Sequence, residues 1–339
     1  MSGWLVTGAA GFLGAHVVRR LHAEGIEVVG LDGFDAAYDP ALKDARARWV
    51  EQATGAPVLR CDVRDRERLT EIFRRTEPEI VVHLAARAGV RPSQTDPLGY
   101  LDINVRGFGE LLEHCQAGSV RHLVYASSSS VYGETTPQPF RVEAAADHPV
   151  SPYAATKRMN ELQAHVASHL HRLPTTGLRF FTAYGPWGRP DMAYWKFAQA
   201  ALEDRPVTVY GDGSARRDFT YVDDVVEAIR RVGDRPPDPT PAWRPDTHGL
   251  AMSDAPWRLL NVGLGAPVSV AGLLDALEQL LGRPVQRVHE PALSGEVSAT
   301  EADVTSLKET VGGVPVTGLA EGLERFLEWF VRYREGSQP

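Results

Sequence analysis

The stretch Trp4-Leu5-Val6-Thr7-Gly8-Ala9-Ala10-Gly11-Phe12-Leu13-Gly14 decides the fold, because a short apolar strand runs directly into a glycine-rich turn. In a TGxxGxxG turn of this kind, Gly8 permits a tight bend, Gly11 lets the backbone approach a pyrophosphate, and Gly14 allows close packing of helix on strand. The anion then lies at the helix N-terminus, where free N–H groups and the helix dipole favour it. The residues predicted to contact a dinucleotide here are Gly8, Gly11, Phe12, Leu13 and Gly14.

An acidic residue at the end of the second predicted strand narrows the choice of dinucleotide. Asp32 comes 18 residues after Gly14, where a carboxylate accepts hydrogen bonds from both ribose hydroxyls and repels a 2′-phosphate. This favours NAD over NADP, although Asp32 could also serve only as a turn residue. Asp62, directly after the third predicted strand, is placed to meet the adenine or is an ordinary loop carboxylate. The other residues predicted to contact the cofactor are Lys43, Val63, Leu84, Ala85, Ala86, Tyr153 and Lys157.

Strands and helices alternate through the first half of the chain. Strands are predicted at residues 4–6, 27–31, 58–61, 80–84, 123–126 and 177–181, with helices at 13–24, 66–75 and 100–116. This alternation predicts an α/β fold, a Rossmann-type doubly wound parallel sheet with helices on both faces. Further helices are predicted at 193–203, 221–232, 270–281 and 319–333, and further strands at 207–210 and 259–262. These later segments predict a smaller C-terminal α/β lobe.

The domain boundaries follow from this pattern. We assign residues 1–182 to the NAD-binding domain, with 219–245 returning to it, and residues 183–218 and 246–335 to a substrate-binding lobe. Residues 233–257 contain six prolines and little periodicity, so we predict a surface loop rather than a linker.

Composition and charge exclude several classes of protein. A net charge of −8 argues against a nucleic-acid surface, which needs a basic stripe. No apolar run approaches the roughly 20 residues of a membrane span. Cys61 and Cys115 are too few for a disulfide framework or a cysteine-rich metal site, which fits a reducing cytoplasm. Because a strand begins at residue 4, we expect no signal peptide.

A second constellation carries the predicted chemistry. Ser128 lies at the end of the fifth predicted strand, and Tyr153-Ala154-Ala155-Thr156-Lys157 follows 25 residues later. Tyr and Lys four residues apart lie on one helix face, so Lys157 can keep the Tyr153 phenol ionised with help from a positive nicotinamide ring. Ser128 would hydrogen-bond the same substrate oxygen. Tyr–Lys pairs at this spacing are frequent on surfaces, so the prediction depends on the glycine turn, the strand-end serine and Pro152 at the helix start.

These residues resemble those of the extended short-chain dehydrogenases/reductases of the nucleotide-sugar epimerase/dehydratase type, and more narrowly of bacterial and plant UDP-glucuronate 4-epimerases. The resemblance covers residues 3–333. Its most specific stretches are His83-Leu-Ala-Ala-Arg-Ala-Gly-Val-Arg91, Ala126-Ser-Ser-Ser-Ser-Val-Tyr-Gly133, Arg179-Phe-Phe-Thr-Ala-Tyr-Gly-Pro-Trp-Gly-Arg-Pro-Asp-Met192 and Arg216-Arg-Asp-Phe-Thr-Tyr-Val-Asp-Asp224.

The resemblance implies that Ser128, Tyr153 and Lys157 are catalytic and that Asn104 helps to anchor the active-site helix. The sequence departs from the family at Gly33, where relatives often carry Asn, and at residues 292–295, where Pro-Gly-Asp is usual near the nucleotide. The second departure puts the ligand contacts around residues 290–296 in doubt, but not the chemistry.

The serines after the fifth strand narrow the reaction that the resemblance implies. Family members begin alike: Tyr153 as phenolate removes the sugar O4 proton while the C4 hydride passes to NAD⁺, giving a 4-ketone. At this strand end the 4,6-dehydratase branch typically has Thr-Asp-Glu-Val-Tyr-Gly, and UDP-glucuronate decarboxylases have Ser-Thr-Ser-Glu-Val-Tyr-Gly. This chain has Ser129 and Ser130 where those enzymes have the acidic residues. No strand-end carboxyl can then act as acid or base. Return of the hydride to the opposite face, which is C4 epimerisation, remains, although four serines could simply be a small-residue strand end.

The predicted substrate contacts also come from the resemblance. Arg189 resembles a position that faces a uronate carboxylate, although it could instead be a loop arginine that caps carbonyls. Arg217 resembles the arginine on the UDP diphosphate, and Val209 and Tyr210 resemble the strand beside uracil. The full predicted set is Arg91, Ser128, Ser129, Thr182, Arg189, Val209, Tyr210 and Arg217.

The sequence therefore predicts an NAD-dependent UDP-glucuronate 4-epimerase that forms UDP-galacturonate, with no metal. UDP-glucose 4-epimerase and UDP-glucuronate decarboxylase remain alternatives, as does a non-catalytic dinucleotide-sensing regulator. Two apolar stripes, Leu101/Val105/Phe108/Leu112/Cys115 and Met159/Leu162/Val166, suggest paired helices. Because such helices form a four-helix bundle across a two-fold axis in this superfamily, we expect a homodimer, although each stripe could be core.

Overall fold

The described part of the chain contains thirteen strands, seven of which form one sheet. The computed structural model describes residues 3–35, 38–291 and 297–336. In chain order the strands are β1 Trp4–Thr7, β2 Val28–Asp32, β3 Leu59–Arg60, β4 Ile80–His83, β5 His122–Ser128, β6 Thr175–Phe180, β7 Thr182–Tyr184, β8 Val207–Tyr210, β9 Arg216–Arg217, β10 Phe219–Tyr221, β11 Trp257–Val262, β12 Val268–Ser269 and β13 Arg287–Glu290.

Helices connect these strands. They are α1 Phe12–Ala23, α2 Pro40–Thr54, α3 Arg66–Thr76, α4 Val90–Thr95, α5 Pro97–Leu101, α6 Gly107–Ala117, α7 Pro152–His171, α8 Ala193–Leu202, α9 Val222–Gly233, α10 Pro245–His248, α11 Val270–Leu281, α12 Thr305–Val311 and α13 Leu319–Arg334. A π-helical turn, Asp102–Arg106, joins α5 to α6, and a 3₁₀ turn, Ser129–Tyr132, follows β5.

The main sheet has the strand order β11-β6-β5-β4-β1-β2-β3, and all its strands are parallel. The direction of chain progression reverses between β1 and β4, so a crevice opens at their carboxyl ends, where ligands of such sheets bind. Three two-stranded sheets, β7–β10, β8–β13 and β9–β12, lie outside it. The predicted fold class is confirmed: every predicted strand of the first half is present, with bounds that differ by a few residues.

The helices show where the sequence patterns were incomplete. Helix α2 was not predicted, because its inward positions are Leu42, Arg46 and Val50, and an arginine interrupts the apolar stripe. The predicted helix 100–116 was wrong as one continuous element, since the π-helical turn divides it. The predicted surface loop 233–257 contains α10, a single short turn of helix.

Strand β11 bears on the predicted domain boundary. It pairs with β6 at the edge of the main sheet, although residues 246–335 had been assigned to the substrate lobe. Helix α9 also contacts α1 and β5 of the sheet layer. The chain therefore crosses between the main sheet and the smaller sheets more than once, and the proposed division should give residues 257–262 to the NAD-binding domain.

Candidate active site

The glycine turn after β1 is packed too closely to accept side chains. Gly8 has a φ of +74°, and a Cβ there would lie 2.8 Å from the backbone nitrogen of Ala85. A Cβ on Gly14 would lie 2.0 Å from the Gly8 carbonyl oxygen, and one on Gly11 would lie 2.8 Å from it. The turn therefore rests directly against the segment after β4, where Leu84, Ala85 and Ala86 were predicted to line the cofactor groove.

The start of α1 suits a pyrophosphate. Gly11 is the N-cap residue and, within the described chain, no side chain caps the helix. The first N–H groups of α1, from Phe12 and Leu13 onward, therefore remain available to an anion at the crevice between β1 and β4. These groups fit a dinucleotide bound across the switch point of the sheet.

Asp32 ends β2 beside this turn, and its side chain is almost fully buried. One carboxylate oxygen accepts a hydrogen bond from Ala10 N at 3.1 Å, and the other accepts from Phe34 N at 2.7 Å. The Lys43 ammonium lies 3.5 Å from the second oxygen. The carboxylate thus shapes the turn, and since it has about four acceptor positions, it also keeps capacity for ribose hydroxyls.

Asp62 lies at the end of β3 next to Gly33, where a Cβ would approach the Asp62 Cα to 3.4 Å. Arg64 donates to its carboxylate from the backbone N at 2.9 Å, from Nε at 2.9 Å and from Nη2 at 2.6 Å. These hydrogen bonds and the charge of Arg64 lower the pKa of Asp62. The neighbouring Val63 is buried. Arg64 therefore already uses much of the acceptor capacity of Asp62, and the predicted contact of Asp62 with the adenine stays a prediction.

The three predicted catalytic residues come together where β5 ends against α7. The side chain of Ser151 accepts from Ala154 N at 3.1 Å, and a proline follows it, so α7 begins one residue before Tyr153. The phenol of Tyr153 interacts with the Ser128 hydroxyl. One turn later, Lys157 is buried and donates from Nζ to the carbonyl oxygen of Ala126 at 3.0 Å.

Burial opposes the charged forms of both Tyr153 and Lys157. Burial raises the pKa of Tyr153, and the hydrogen bond with Ser128 and the charge of Arg189 offset only part of this effect. Burial also lowers the pKa of Lys157 from 10.5 to about 8. The chain's own groups therefore leave the phenol less acidic than a free tyrosine. The oxidised nicotinamide ring, the additional cation of the prediction, would favour the ionised phenol.

Asn104 lies in the π-helical turn and is buried. Its Nδ2 donates to Thr156 Oγ1 at 3.0 Å, and its Oδ1 accepts from Arg87 N at 2.8 Å. Its backbone carbonyl accepts from Asn160 Nδ2 at 2.7 Å. These contacts tie the turn to α7 on both sides of Lys157, in agreement with the anchoring role that the resemblance implies.

Arg189 lies near the Tyr153 phenol, and one edge of its guanidinium is occupied. Nε and Nη2 donate to the two carboxylate oxygens of Asp191 at 3.0 and 2.6 Å. Nη2 also donates to the carbonyl oxygen of Ala88 at 3.2 Å. Among the described residues, these contacts hold the Nε–Nη2 edge of the guanidinium and do not involve Nη1. Asp191 therefore orients the Arg189 guanidinium and neutralises part of its positive charge.

The loop that carries Arg189 is held from the other side by α1 and α2. His16 Nε2 bonds to the carbonyl oxygen of Pro186 at 3.0 Å. Arg46, which is fully buried, donates from Nε to the Trp187 carbonyl at 2.9 Å and from Nη2 to the Gly188 carbonyl at 2.6 Å. Three successive carbonyls are thus anchored independently of Arg189.

The remaining predicted substrate residues lie on the side of the smaller sheets. Ser129 begins the 3₁₀ turn, and Thr182 begins β7, where its N–H donates to the Asp218 carbonyl at 3.0 Å. In β8 Val209 is buried and Tyr210 is exposed, with the Arg91 guanidinium 5.2 Å from the Tyr210 ring centroid.

Arg217 lies in β9 and donates from Nη1 to the carbonyl of Arg216 at 2.9 Å. The sequence departure at residues 292–295 lies outside the described residues.

Three functional candidates were missed from the sequence: Arg46, Asp191 and Glu161. Arg46 interrupts an apolar stripe, which is a weak sign of a buried contact. Asp191 stands two residues after Arg189, a spacing from which an ion pair could have been expected. Glu161 stands four residues after Lys157 and therefore on the same helix face as Tyr153 and Lys157.

The described residues contain neither a membrane-spanning helix nor a cluster of metal ligands. None of their helices is long and apolar enough to cross a membrane. Among the same residues, no group of three or more His, Cys, Asp or Glu side chains is arranged to hold a metal ion.

The chain belongs to the NAD dependent epimerase/dehydratase family, whose sequence profile matches residues 4–241. Among its relatives is a probable UDP-glucuronate 4-epimerase of Rhizobium meliloti (strain 1021), 42% identical over 328 residues that cover 96% of each chain.

Solved structures of other proteins share the fold. UDP-glucuronic acid 4-epimerase from Bacillus cereus, in complex with UDP-glucuronic acid and NAD, superposes with a TM-score of 0.85 at 29% identity. The match covers 98% of this chain and 99% of that one. MoeE5, at 35% identity and a TM-score of 0.80 over 98% and 100% of the two chains, was solved with UDP-glucuronic acid and NAD. It was also solved with UDP-glucose and NAD.

Proposed function

We propose that this chain catalyses the reversible, NAD-dependent C4 epimerisation of UDP-glucuronate to UDP-galacturonate. The observation that carries the proposal is the approach of the Tyr153 phenol to both Ser128 and Arg189, at the edge of the sheet where the glycine turn also lies. The first two groups suit a sugar hydroxyl and the third suits a carboxylate. Relatives with about 40% identity over nearly the whole chain carry this activity in their names.

Tyr153 is the group proposed to move the proton at sugar O4. As phenolate it accepts that proton when the C4–H bond breaks, and it returns the proton when the 4-ketone is reduced. Ser128 donates a hydrogen bond to the same oxygen, and the Lys157 ammonium stabilises the phenolate. NAD⁺ bound at the glycine turn would supply the hydride acceptor and a positive charge near the phenol, and return of the hydride to the opposite face of the turned ketone would complete the epimerisation.

The absence of an acid from the end of β5 supports epimerisation over the other reactions of the family. Ser129 and Ser130 stand where a dehydratase or a decarboxylase would have a carboxyl group. Ser128 Oγ donates to the Ser130 hydroxyl oxygen at 3.1 Å, so Ser130 is a hydrogen-bonding partner of Ser128 and brings no carboxyl group to the site. Serine cannot remove the C5 proton or protonate a leaving oxygen at neutral pH.

Arg189 is proposed to hold the uronate carboxylate. A charge-assisted hydrogen bond contributes about 1.5–3 kcal/mol, and Nη1 faces no partner among the described residues while Asp191 fixes the other edge. The 4-keto uronate is a β-keto acid that tends to lose CO₂. A carboxylate held ionised, with its C5–C6 bond out of line with the ketone π system, would resist that loss.

The nucleotide is proposed to lie against β8 and β9. Val209 and Tyr210 would flank the uracil, and Arg217 and Arg91 would face the diphosphate, with Ser129 and Thr182 as polar neighbours of the sugar. At the other end of the site, Asp32, Lys43 and Asp62 would face the adenosine part of NAD.

The test is incubation of the NAD-loaded protein with UDP-glucuronate and, separately, with UDP-glucose, followed by NMR of the products. We expect UDP-galacturonate from the first substrate and much slower turnover of the second. UDP-pentose as the main product would instead identify a decarboxylase, and preferred turnover of UDP-glucose a hexose epimerase. No product and no NADH absorbance with either sugar would identify a dinucleotide-sensing regulator.

We also propose that the protein acts in the cytoplasm and forms a homodimer. The cytoplasmic proposal is supported by Cys61 and Cys115, which are both free and buried. The dimer proposal is supported by α7, whose outer face exposes Met159, Leu162 and Val166 at 40%, 52% and 53%.

The apolar face continues beyond the predicted stripe to Leu170 of α7 and to Leu98 and Leu101 of α5, all exposed. The first predicted stripe was partly wrong as an interface, because Phe108, Leu112 and Cys115 are buried in the protein's own core.

Replacement of Leu162 by Glu should therefore weaken the dimer, because a charge would be buried between two copies of α7. We expect the wild-type protein to have the mass of a dimer at micromolar concentration and Leu162→Glu that of a monomer, measured by light scattering. Leu280→Glu on α11, where the leucine is also exposed, is the matched control and should leave the mass unchanged. A monomeric wild-type protein would contradict the proposal.

A further inference from the structure

Three successive residues of β5 meet α7 at intervals of one helical turn. Residues four apart on a helix share a face, and on α7 these are Tyr153, Lys157 and Glu161. They meet Ser128, Ala126 and Ser127 of β5, respectively. The first two pairs belong to the catalytic site already described. The third pair, in which Ser127 Oγ donates to Glu161 Oε1 at 2.6 Å, has no assigned role.

Glu161 is a completely buried carboxylate that is held by two arginines. Arg179, itself buried, donates from Nε to Oε1 at 2.8 Å and from Nη2 to Oε2 at 2.9 Å. Arg158 donates from Nη1 to Oε2 at 3.0 Å. Burial raises the pKa of Glu161, but the charge and hydrogen bonds of Arg179 outweigh it and lower the pKa below its usual value. The carboxylate is therefore ionised at neutral pH.

Arg179 is fixed in turn by groups outside α7. Its Nη1 donates to the Val142 carbonyl at 3.2 Å, and its guanidinium lies 4.7 Å from the centroid of the Tyr132 ring. The Tyr132 hydroxyl donates to Asn261 Oδ1 at 2.6 Å. The position of the Glu161 carboxylate is thus set by β6, β11 and the segment after β5, and not by α7 alone.

Stability alone does not account for this pair. A buried ion pair is often no more stabilising than well-packed apolar side chains of the same volume, since both charges lose their hydration. What such a pair provides is a fixed geometry between the elements that carry it. Here those elements are α7, which carries Tyr153, and β6, which pairs with β5 so that Arg179 lies beside Ser127, the residue before Ser128.

We infer that Glu161 and Arg179 are positioning residues. Through Ser127 they fix where α7 lies along the direction of β5, and this position determines how closely the Tyr153 phenol approaches the Ser128 hydroxyl. Catalytic groups displaced by about 1 Å can lose on the order of 10²-fold in rate, so even a small slide of α7 would be costly. The kinetic part of this inference rests on the proposed epimerase function.

The test is Ser127→Ala, which removes the link to β5 and leaves the ion pair in place. With UDP-glucuronate we expect kcat to fall about fivefold, a displacement well below 1 Å, with KM nearly unchanged. The acid limb of the kcat–pH profile should move to higher pH, because the contact with Ser128 lowers the pKa of Tyr153. Lys157 moves together with Tyr153 on α7, and the other groups facing the phenol, Arg189 on its loop and Tyr100 on α5, stay in place.

Ser168→Ala is the matched control. Like Ser127 of β5, Ser168 is buried, but it lies on α7 far from Tyr153, and its hydroxyl donates to the Leu173 carbonyl at 2.8 Å. We expect both variants to lower Tm, but only Ser127→Ala to change kcat and the pH profile. If the two behave alike, the Glu161 network is structural only and the inference is wrong.

A double variant keeps the inference testable if the link matters for folding. Glu161→Leu/Arg179→Met removes both charges at similar volume, and adding Ser127→Ala to it should cause no further loss of kcat, because the coupled effect is already gone. Additive losses would overturn the inference.

The Tyr153 phenol can also be titrated in the NAD-loaded protein without any turnover. Its ionisation is read from the tyrosinate absorbance at about 295 nm as the difference from Tyr153→Phe, which lacks this phenol. The titration therefore distinguishes failure of this inference from failure of the proposed function: an unchanged titration in Ser127→Ala would overturn the inference.

Discussion

Replacement of Tyr153 by Phe should lower epimerisation of UDP-glucuronate by about a thousandfold, because a positioned acid–base group contributes roughly 10²–10⁴-fold. The variant keeps the ring and its edge contact with Tyr100, whose centroid lies 6.2 Å away. Fold and NAD binding should therefore be retained. Turnover would be measured by NMR of the two UDP-uronates, and the NAD content would be measured on the purified protein.

Tyr100→Phe is the matched control for this prediction. It also deletes one phenol oxygen, which donates to the Ala88 carbonyl at 3.1 Å, at a site next to the reacting groups. Burial raises the pKa of Tyr100 to about 12, so it is a poor candidate for the base. We expect Tyr100→Phe to retain most of the activity. If Tyr153→Phe keeps more than about a tenth of wild-type turnover, against the loss expected for a general base, Tyr153 is not the base.

The sequence was most informative where local chemistry determines the structure. The glycines of the first turn are required by φ and by backbone approach, so Gly8 and Gly14 could be interpreted from their spacing alone. The same holds for Tyr153 and Lys157, because a spacing of four places them on one face of α7 once Pro152 and Ser151 define its start. Parallel strands buried on both faces give continuous apolar runs, which is why the main sheet was predicted.

The sequence was less informative where contacts join distant segments. Arg46 fixes carbonyls more than 140 positions away, and no periodicity reveals such a pairing. Arg179 and Glu161 come from β6 and α7, and their ion pair could be expected only after the topology was known. The pKa of Tyr153 could not be predicted from spacing either, because the burial that raises it depends on how the whole site packs.

Replacement of Arg189 by Ala is the sharpest test of the proposed uronate specificity. If Arg189 binds the C6 carboxylate, turnover of UDP-glucuronate should fall roughly 10- to 100-fold, equivalent to about 1.4–2.8 kcal/mol. UDP-glucose lacks that charge and should lose little. A carboxylate no longer held could turn into line with the C4 ketone, so UDP-pentose should appear as a side product. Both substrates, the side product and Tm would be measured on one variant.

The structure limits the competing explanation, in which Arg189 only holds its loop. The carbonyls of Pro186, Trp187 and Gly188 stay bound by His16 and Arg46 after Arg189 is removed. The loop should then keep its path, and Tm should change little. A role confined to the loop predicts instead a lower Tm and equal losses on both sugars.

Asp191→Asn is the control that separates the two roles, because it breaks the ion pair of Arg189 but leaves the guanidinium in place. If Arg189 serves the loop through Asp191, this variant should reproduce the losses of Arg189→Ala on both sugars. If Arg189 serves the substrate, Asp191→Asn frees its charge and should preserve or strengthen UDP-glucuronate binding, seen as an equal or lower KM. Equal losses on both sugars in Arg189→Ala, repeated in Asp191→Asn, would remove the structural argument for a uronate and leave the choice of sugar to the resemblance alone.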